Sequence, residues 1–469
     1  MNPHLPGAGL YTDLYELTMA QGYLLTGRHG TPACFDYFFR DNPFGGGYAV
    51  FAGLDDLLGL LEELCFDDGD LDYLKGQGFQ DPFLRHLRDF RFRGTLHSVR
   101  EGEVVFPLEP IVRVEGSLLE CQLIETLLLN VLNFQSLIAT KASRMVRSAD
   151  GRRVVDFGLR RAQGLGGLWA SRAAAVGGVE ATSNVLAARE YGLLPTGTMA
   201  HSWIQSYPDE LTAFREYAAL YPLNCVLLVD TYNTLASGLP NAVAVAREME
   251  SRGQRLAGIR LDSGDLAYLS KKARALLDAE GLSYVRIVVS NQLDERIIKS
   301  LLEQGAPINA FGVGTHLVTG QETPALDGVY KLCAMDGKPR LKAGDTVMKT
   351  SLPGVKKVLR YTDPEGLFYA DGILLQDEKQ AETIHHPFFP EKKSRVAHCF
   401  PESLLYKMME GGQTLSRMGV AEAAGYARER LAKLSPEHLR FENPHVYKVG
   451  VSPALLDLRT RLVDKSQRH

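Results

Sequence analysis

The spacing of apolar and polar positions changes character near residue 150. Before that point, helical periodicity is broken by isolated short strands. Thr12 or Asp13 is placed to cap a helix that runs through "LYELTMAQGYLL" towards Gly27. "ACFDYFFR" sets Ala33, Phe35, Tyr37 and Phe39 against Cys34, Asp36 and Phe38, the two-residue period of a strand. "FGGGYAVFAGL" leads into a helix over about 54–64, and Pro107 and Pro110 keep the strands of 95–115 short. One long helix or a pair is expected over 117–147.

After 150 the chain becomes a series of short β-rich runs: "RVVDFGLR", "GGVEATS", "PTGTMAHS", "CVLLVDTYN", "AGIRLDSGD", "RIVVSNQ" and "NAFGVGTH". Amphipathic helices separate several of them, among them "DELTAFREYAALY", "NAVAVAREMESRG" and "LAYLSKKARALLDAEG". Strands alternating with helices predict parallel strands joined by crossovers. Seven such units suit an α/β fold with a β/α barrel core, complete or one unit short. A doubly wound sheet would place GxGxxG after its first strand, and none occurs there. "FGVGTH" supplies only two of the three glycines and comes last. The expected organisation is an N-terminal α/β domain over 1–125, the barrel over 126–340, and turn-rich elements over 341–469 that pack on the barrel and complete the N-terminal domain. Beyond about 420, "AAGYARERLAKL" reads as a solvated helix.

Composition narrows the partners. The 469 residues are 45% hydrophobic and 23% charged, in the range of a globular protein. A net charge of −4 gives no basic excess for nucleic acid, although a few local donors still suffice for a small anion. The six cysteines are dispersed without CxxC spacing, which predicts reduced thiols. The first residues lack a secretory pattern, and Glu120, Gln122, Glu125, Asn130, Asn133 and Gln135 interrupt the longest apolar stretch. A cytoplasmic protein with no membrane span is expected.

The ends of the runs carry the candidate chemistry. In order they hold Arg160, Glu180, His201, Asp230, Arg260 with Asp262, Asn291, and Gly314–Thr315. In a barrel of parallel strands these ends converge on one face. Arg260 and Asp262 fall on the same side of their strand, where a charged pair costs desolvation unless partners or a ligand meet it. Gly314–Thr315 resembles the backbone cradle that holds phosphate at the late strands of barrels. Asp265 reads as the cap of the helix that follows it.

His201 admits three readings: a satisfied core histidine, a metal ligand, or a histidine doing chemistry. No His or Cys lies two to five residues after it, which argues against zinc. His385, His386, His398 and Cys399 form a separate stretch with ligand types that suit zinc. Asp230, Asp262 and Asp265 suit Mg²⁺ held through substrate phosphates and water. Arginines for anions, carboxylates for Mg²⁺ or ribose hydroxyls, and a histidine able to accept a phosphoryl group suggest an enzyme joining a phosphorylated sugar to a small carboxylate.

The stretches "TDLYELTMAQGY", "FFRDNPFGGGYAVFAGL", "DFGLRRAQG", "GGVEATSNVLA", "GTMAHSW", "DTYNTL", "RLDSGDL" and "FGVGTHLVTG" together resemble the nicotinate phosphoribosyltransferase family. The resemblance implies a type II phosphoribosyltransferase, homodimeric, that makes nicotinate mononucleotide and diphosphate from nicotinate and 5-phosphoribosyl 1-diphosphate with coupled ATP hydrolysis, in NAD salvage. It implies that Tyr15 stacks on the pyridine ring across the dimer interface. Thr198 and Arg260 would contact nicotinate, Arg160 its carboxylate or a phosphate, and Gly314 and Thr315 the sugar phosphate. His201 would be the phosphohistidine, and Asp230 and Asp262 would hold ribose hydroxyls or Mg²⁺–diphosphate. Val179–Glu180 departs from the family pattern, so Glu180 receives no role. The same fold also serves nicotinamide and quinolinate enzymes, and a non-catalytic barrel binding phosphorylated metabolites is a third alternative.

Overall fold

The computed structural model describes residues 7–342 and 351–466. The chain forms two compact units, Lys141–Pro324 and the combined Met1–Thr140 with Ala325–His469. The hydrophobic pattern places the divisions elsewhere, at 125/126 and 340/341. The first difference has a simple cause: a continuous helix, Glu125–Ser148, runs through the boundary at Thr140 and Lys141.

The Lys141–Pro324 unit contains seven parallel strands: β1 (Arg153–Asp156), β2 (Ala181–Thr182), β3 (Leu194–Pro195), β4 (Val226–Leu228), β5 (Gly258–Leu261), β6 (Arg286–Ser290) and β7 (Ala310–Val313). Their order across the sheet is β3-β2-β1-β7-β6-β5-β4. Each neighbour in that order is also a neighbour in sequence, except that β7 returns to β1. A closed ring of seven would need one more ladder, β3 to β4, so the sheet is an incomplete barrel. All six pairings are parallel.

Local chemistry starts the crossover helices. Asp209 accepts from Thr212 N at 2.8 Å, Asp265 from Tyr268 N at 3.0 Å and Asp294 from Ile297 N at 2.7 Å. Each satisfies an N–H that the first helical turn leaves without a partner. The helices Glu210–Leu220, Leu239–Ser251 and Leu266–Ala279 stand where the amphipathic pattern puts them. The third run differs. "PTGTMAHS" is strand only at Leu194–Pro195, and His201 opens a short helix, His201–Gln205.

The other unit rests on largely antiparallel sheets, with one parallel pair, Phe368–Leu375 beside Val449–Val451. One sheet runs Lys338–Pro339, Gly328–Met335, Pro32–Phe39, Val112–Ser117, Thr95–Ser98, Tyr406–Glu410, Gln413–Thr414, so strands from both ends of the chain share it. This is the expected completion of the N-terminal domain by C-terminal elements. A second, six-stranded sheet is built only from residues after 355. The helix Val420–Leu431 corrects one expectation. It buries Ala423 and Ala427, and its Arg430 bonds Glu103 at 2.8 Å, so this face packs into the core rather than facing solvent.

No helix among the described residues is long and apolar enough to cross a membrane.

Candidate active site

The C-terminal ends of the parallel strands surround a cleft of about 400 Å³ in the Lys141–Pro324 unit. Its lining takes in Arg160, Thr198, His201, Arg260, Asp262, Gly314 and Thr315. These are seven of the nine residues expected at the site. Asp230 stands at its edge through hydrogen bonds, and Tyr15 belongs to the other unit.

Arg260 sits on β5, the strand whose two neighbours are β4 and β6. Its guanidinium donates to the Thr198 hydroxyl and stacks 6.0 Å from the Phe157 ring centre. Its Nε is buried without a partner among the described residues. Burial pushes its pKa down, against the pull of Asp262 and Asp230. A guanidinium still holds its charge under such pressure. It is a desolvated cation with donors to spare, as a site for a planar carboxylate requires.

The acidic residues are held more firmly. Asp230 Oδ2 accepts from Asp262 N at 2.8 Å and from Ser263 Oγ at 2.6 Å, while its Oδ1 is buried and unpartnered among the described residues. Asp262 accepts from the Ser290 hydroxyl. This chain of contacts ties the ends of β4, β5 and β6 together. His201 Nδ1 lies 3.0 Å from Thr231 Oγ1, and its Nε2 is 4.0 Å from Asp262 Oδ2. The first contact fixes the ring's orientation and leaves Nε2 on the Asp262 side.

Several contributors escape the sequence pattern. Asp156, at the end of β1, is fully buried; its Oδ1 accepts from Gly158 N at 2.7 Å, and its Oδ2 from Ser171 and Thr182 hydroxyls, each at 2.7 Å. It therefore clasps β1, β2 and the turn that presents Arg160. A carboxylate closing "RVVD" was the available signal. Asn291 and Gln292, at the cleft rim, have φ of 92° and 46°, a strained conformation that functional sites commonly retain. Gly312 is required by contact, because a Cβ there would come within 2.5 Å of the Phe157 ring.

One expectation changes. Glu180 is not at a C-terminal strand end: it precedes β2, is exposed, and lies 3.4 Å from Arg153 at the start of β1. Ser183 occupies the cleft instead. The reason is register, since β2 is only two residues long and ends at Thr182. The stretch with zinc-type ligands is partnered otherwise: His385 Nδ1 lies 2.9 Å from Pro390 O, His386 Nδ1 accepts from Phe388 N and Phe389 N, His398 meets the Tyr369 ring edge-on, and Cys399 is buried in an apolar cluster. Tyr15 lies on the helix Leu14–Leu25, partly exposed, with burial and then Glu125 and Glu16 raising its phenol pKa.

Models of the nicotinate phosphoribosyltransferase N-terminal domain, family and C-terminal domain match residues 10–133, 152–389 and 355–459. The chain belongs to the nicotinate phosphoribosyltransferase family. It is 42% identical to the nicotinate phosphoribosyltransferase of Bacillus subtilis over 456 residues, covering 94% of this chain and 92% of that one. The Caenorhabditis elegans nicotinate phosphoribosyltransferase is 37% identical, with 95% and 92% covered. The crystal structure of human nicotinic acid phosphoribosyltransferase superposes with a TM-score of 0.86 at 34% identity, covering 96% of this chain and 99% of that one.

Proposed function

We propose that the protein transfers the phosphoribosyl group of 5-phosphoribosyl 1-diphosphate to nicotinate, releasing diphosphate and forming nicotinate mononucleotide, and that ATP hydrolysis through phosphorylated His201 is coupled to the transfer. The observation that carries this reading is Arg260, a desolvated guanidinium held by the Thr198 hydroxyl with Nε unpartnered at the cleft. Nicotinate offers the carboxylate that such a group can fork onto; nicotinamide does not.

The remaining residues follow the charge. Diphosphate leaves as the sugar gains oxocarbenium character and the pyridine nitrogen attacks, so the site must align nucleophile and leaving group and receive negative charge. Arg160 and the Gly314–Thr315 turn follow the same, C-terminal end of the parallel β1–β7 pairing, line the cleft side by side and suit phosphate oxygens. Asp230 Oδ1, buried and unpartnered, and Asp262 fit Mg²⁺ or ribose hydroxyls. Bound there, Mg²⁺ would offset the charge of the departing diphosphate. In the coupled step the γ-phosphoryl of ATP moves to a His201 imidazole nitrogen with release of ADP, and hydrolysis later frees inorganic phosphate. The added charge, up to about −2, would lie beside the Asp262 carboxylate, so it would bear on the loops that carry Thr231 and Asp262 with Mg²⁺ offsetting the repulsion. Tyr15 stacks on the pyridine ring in a homodimer of the same chain.

The test is product formation from nicotinate with and without ATP, run beside nicotinamide and quinolinate. Turnover of nicotinate that ATP strengthens, with radiolabel from γ-labelled ATP on the wild type and none on His201→Ala, supports the reading. His201→Ala should keep slow, ATP-independent transfer. Turnover of another acceptor would transfer Arg260 to a different role. A folded protein that binds phosphoribosyl diphosphate and turns over no acceptor would make the cleft a binding site only.

A further inference from the structure

A second polar cluster lies in the unit formed by Met1–Thr140 and Ala325–His469. Cys34 and Asp36 alternate on the strand Pro32–Phe39, so they project from one face. The neighbouring strand Gly328–Met335 pairs with it through a bulge: Cys34 opposes Ala334 and Phe35 opposes Leu332, which leaves Cys333 as the extra residue. A bulge re-aims the side chain it inserts. Here it brings the Cys333 thiol to 3.2 Å from Cys34 O, and places Cys34 Sγ, Cys333 Sγ and an Asp36 carboxylate oxygen all within 4.8 Å of one another. All three residues are buried.

Two further observations point to a ligand at this cluster. Asp36 is 3% exposed, and its Oδ1 has no hydrogen-bond partner among the described residues. Its other oxygen meets Lys356 Nζ at 2.7 Å. Asp36 and Lys356 also line a cavity of about 20 Å³. That is room for roughly one water molecule.

We infer that Cys34, Cys333 and Asp36 form a site for one thiophilic divalent cation of the Zn²⁺ class, with a water in the adjoining cavity as fourth ligand. Two sulfurs and one carboxylate oxygen plus water make a four-coordinate set such a d¹⁰ cation accepts. The charge balance favours it. Empty, the pocket holds two neutral thiols, one carboxylate and one ammonium, with zero net charge. On filling, both S–H bonds break and two protons leave to solvent. Two metal–sulfur bonds and one metal–oxygen bond form, with no change of oxidation state. The cation's two charges with Lys356 then balance two thiolates and Asp36, again to zero, so no uncompensated charge is buried. The site bridges two strands of one sheet and is independent of the transfer chemistry.

The experiment uses the full chain, reduced with a phosphine and stripped with a chelator, to which Co²⁺ or Zn²⁺ is added. Expected are about one cation per chain, thiolate-to-Co²⁺ charge-transfer absorption, and about two protons released per cation in weak buffer. Zn²⁺ should raise the thermal midpoint of the wild type. Cys34→Ser and Cys333→Ser should abolish the absorption, and Asp36→Asn should weaken affinity by about tenfold or more. If the serine variants do not fold, the wild-type absorption and proton count decide alone. Absence of both in the reduced wild type overturns the inference. So does a Cys34→Ser/Cys333→Ser protein that binds as well as wild type, or loss of two free thiols in metal-free, unreduced protein, which would make the pair a disulfide.

Discussion

Arg360 and Arg260 are both largely buried, one in each unit, and they are treated in opposite ways. Arg360 donates to Asp371 at 2.9 and 2.6 Å, to Glu103 at 2.5 Å and to Val104 O at 2.7 Å, with the Phe106 and Phe368 rings over its guanidinium. Burial opposes its charge, but Asp371 and Glu103 together push its pKa well above the ordinary value. Arg260 has one hydroxyl and a ring, and burial lowers its pKa. A buried charge that the fold has fully partnered is structural. One left short of partners at a cleft is held ready for a ligand, and its incomplete pairing is the more informative observation.

The largest test of that contrast is Arg360→Met. Removing one member of a buried network strands Glu103 and Asp371, and should cost about 3–5 kcal/mol, read as a lower denaturation midpoint. Next, Arg260→Lys should lower kcat/KM for nicotinate about 10²- to 10³-fold, because a point charge cannot fork onto a carboxylate, with little change in thermal midpoint. An Arg260 variant that unfolds while an Arg360 variant keeps its stability would break the comparison. Asp156→Asn should be milder. An amide cannot accept from Gly158 N and both hydroxyls in the same arrangement, so about 1–3 kcal/mol of stability is expected to be lost, with kcat/KM falling as the Arg160 turn loosens. Both can be followed on the same preparation.

The smallest effect is a pH slope. Glu295 opposes Lys141 and Arg144, each at 2.7 Å. Burial raises its pKa, but the two cations outweigh burial and bring it below the ordinary carboxylate range. A depressed folded-state pKa contributes stability that is present above the unfolded value and lost as pH falls through the folded one. Urea unfolding of wild type and Glu295→Gln should therefore differ most near neutrality and converge in acid, at up to about 1.4 kcal/mol per pH unit.

Much of the architecture was legible because it is local. Asp209, Asp265 and Asp294 cap helices three residues away, and the hydrophobic runs of β1 and β4 to β7 announce strands buried on both faces. The third run misled because Gly197 to Ala200 look extended yet find no ladder beyond Pro195. Glu180 misled because a two-residue strand gives sequence patterning too little length to set which end is which.

The sequence by itself determined the seven-unit alternation, the helix starts, and the polar residue types at the strand ends, since each depends on neighbours within one or two turns of chain. Only the tertiary structure decided that β7 returns to β1 and leaves β3 and β4 unjoined, that Asp156 clasps Ser171 and Thr182, that Arg260 is left with a free Nε while Arg360 is saturated, and that a bulge delivers Cys333 to Cys34. Those interactions join residues from 15 to 299 positions apart. Their partners are chosen by burial and by the geometry of packing, which no local pattern of side chains encodes.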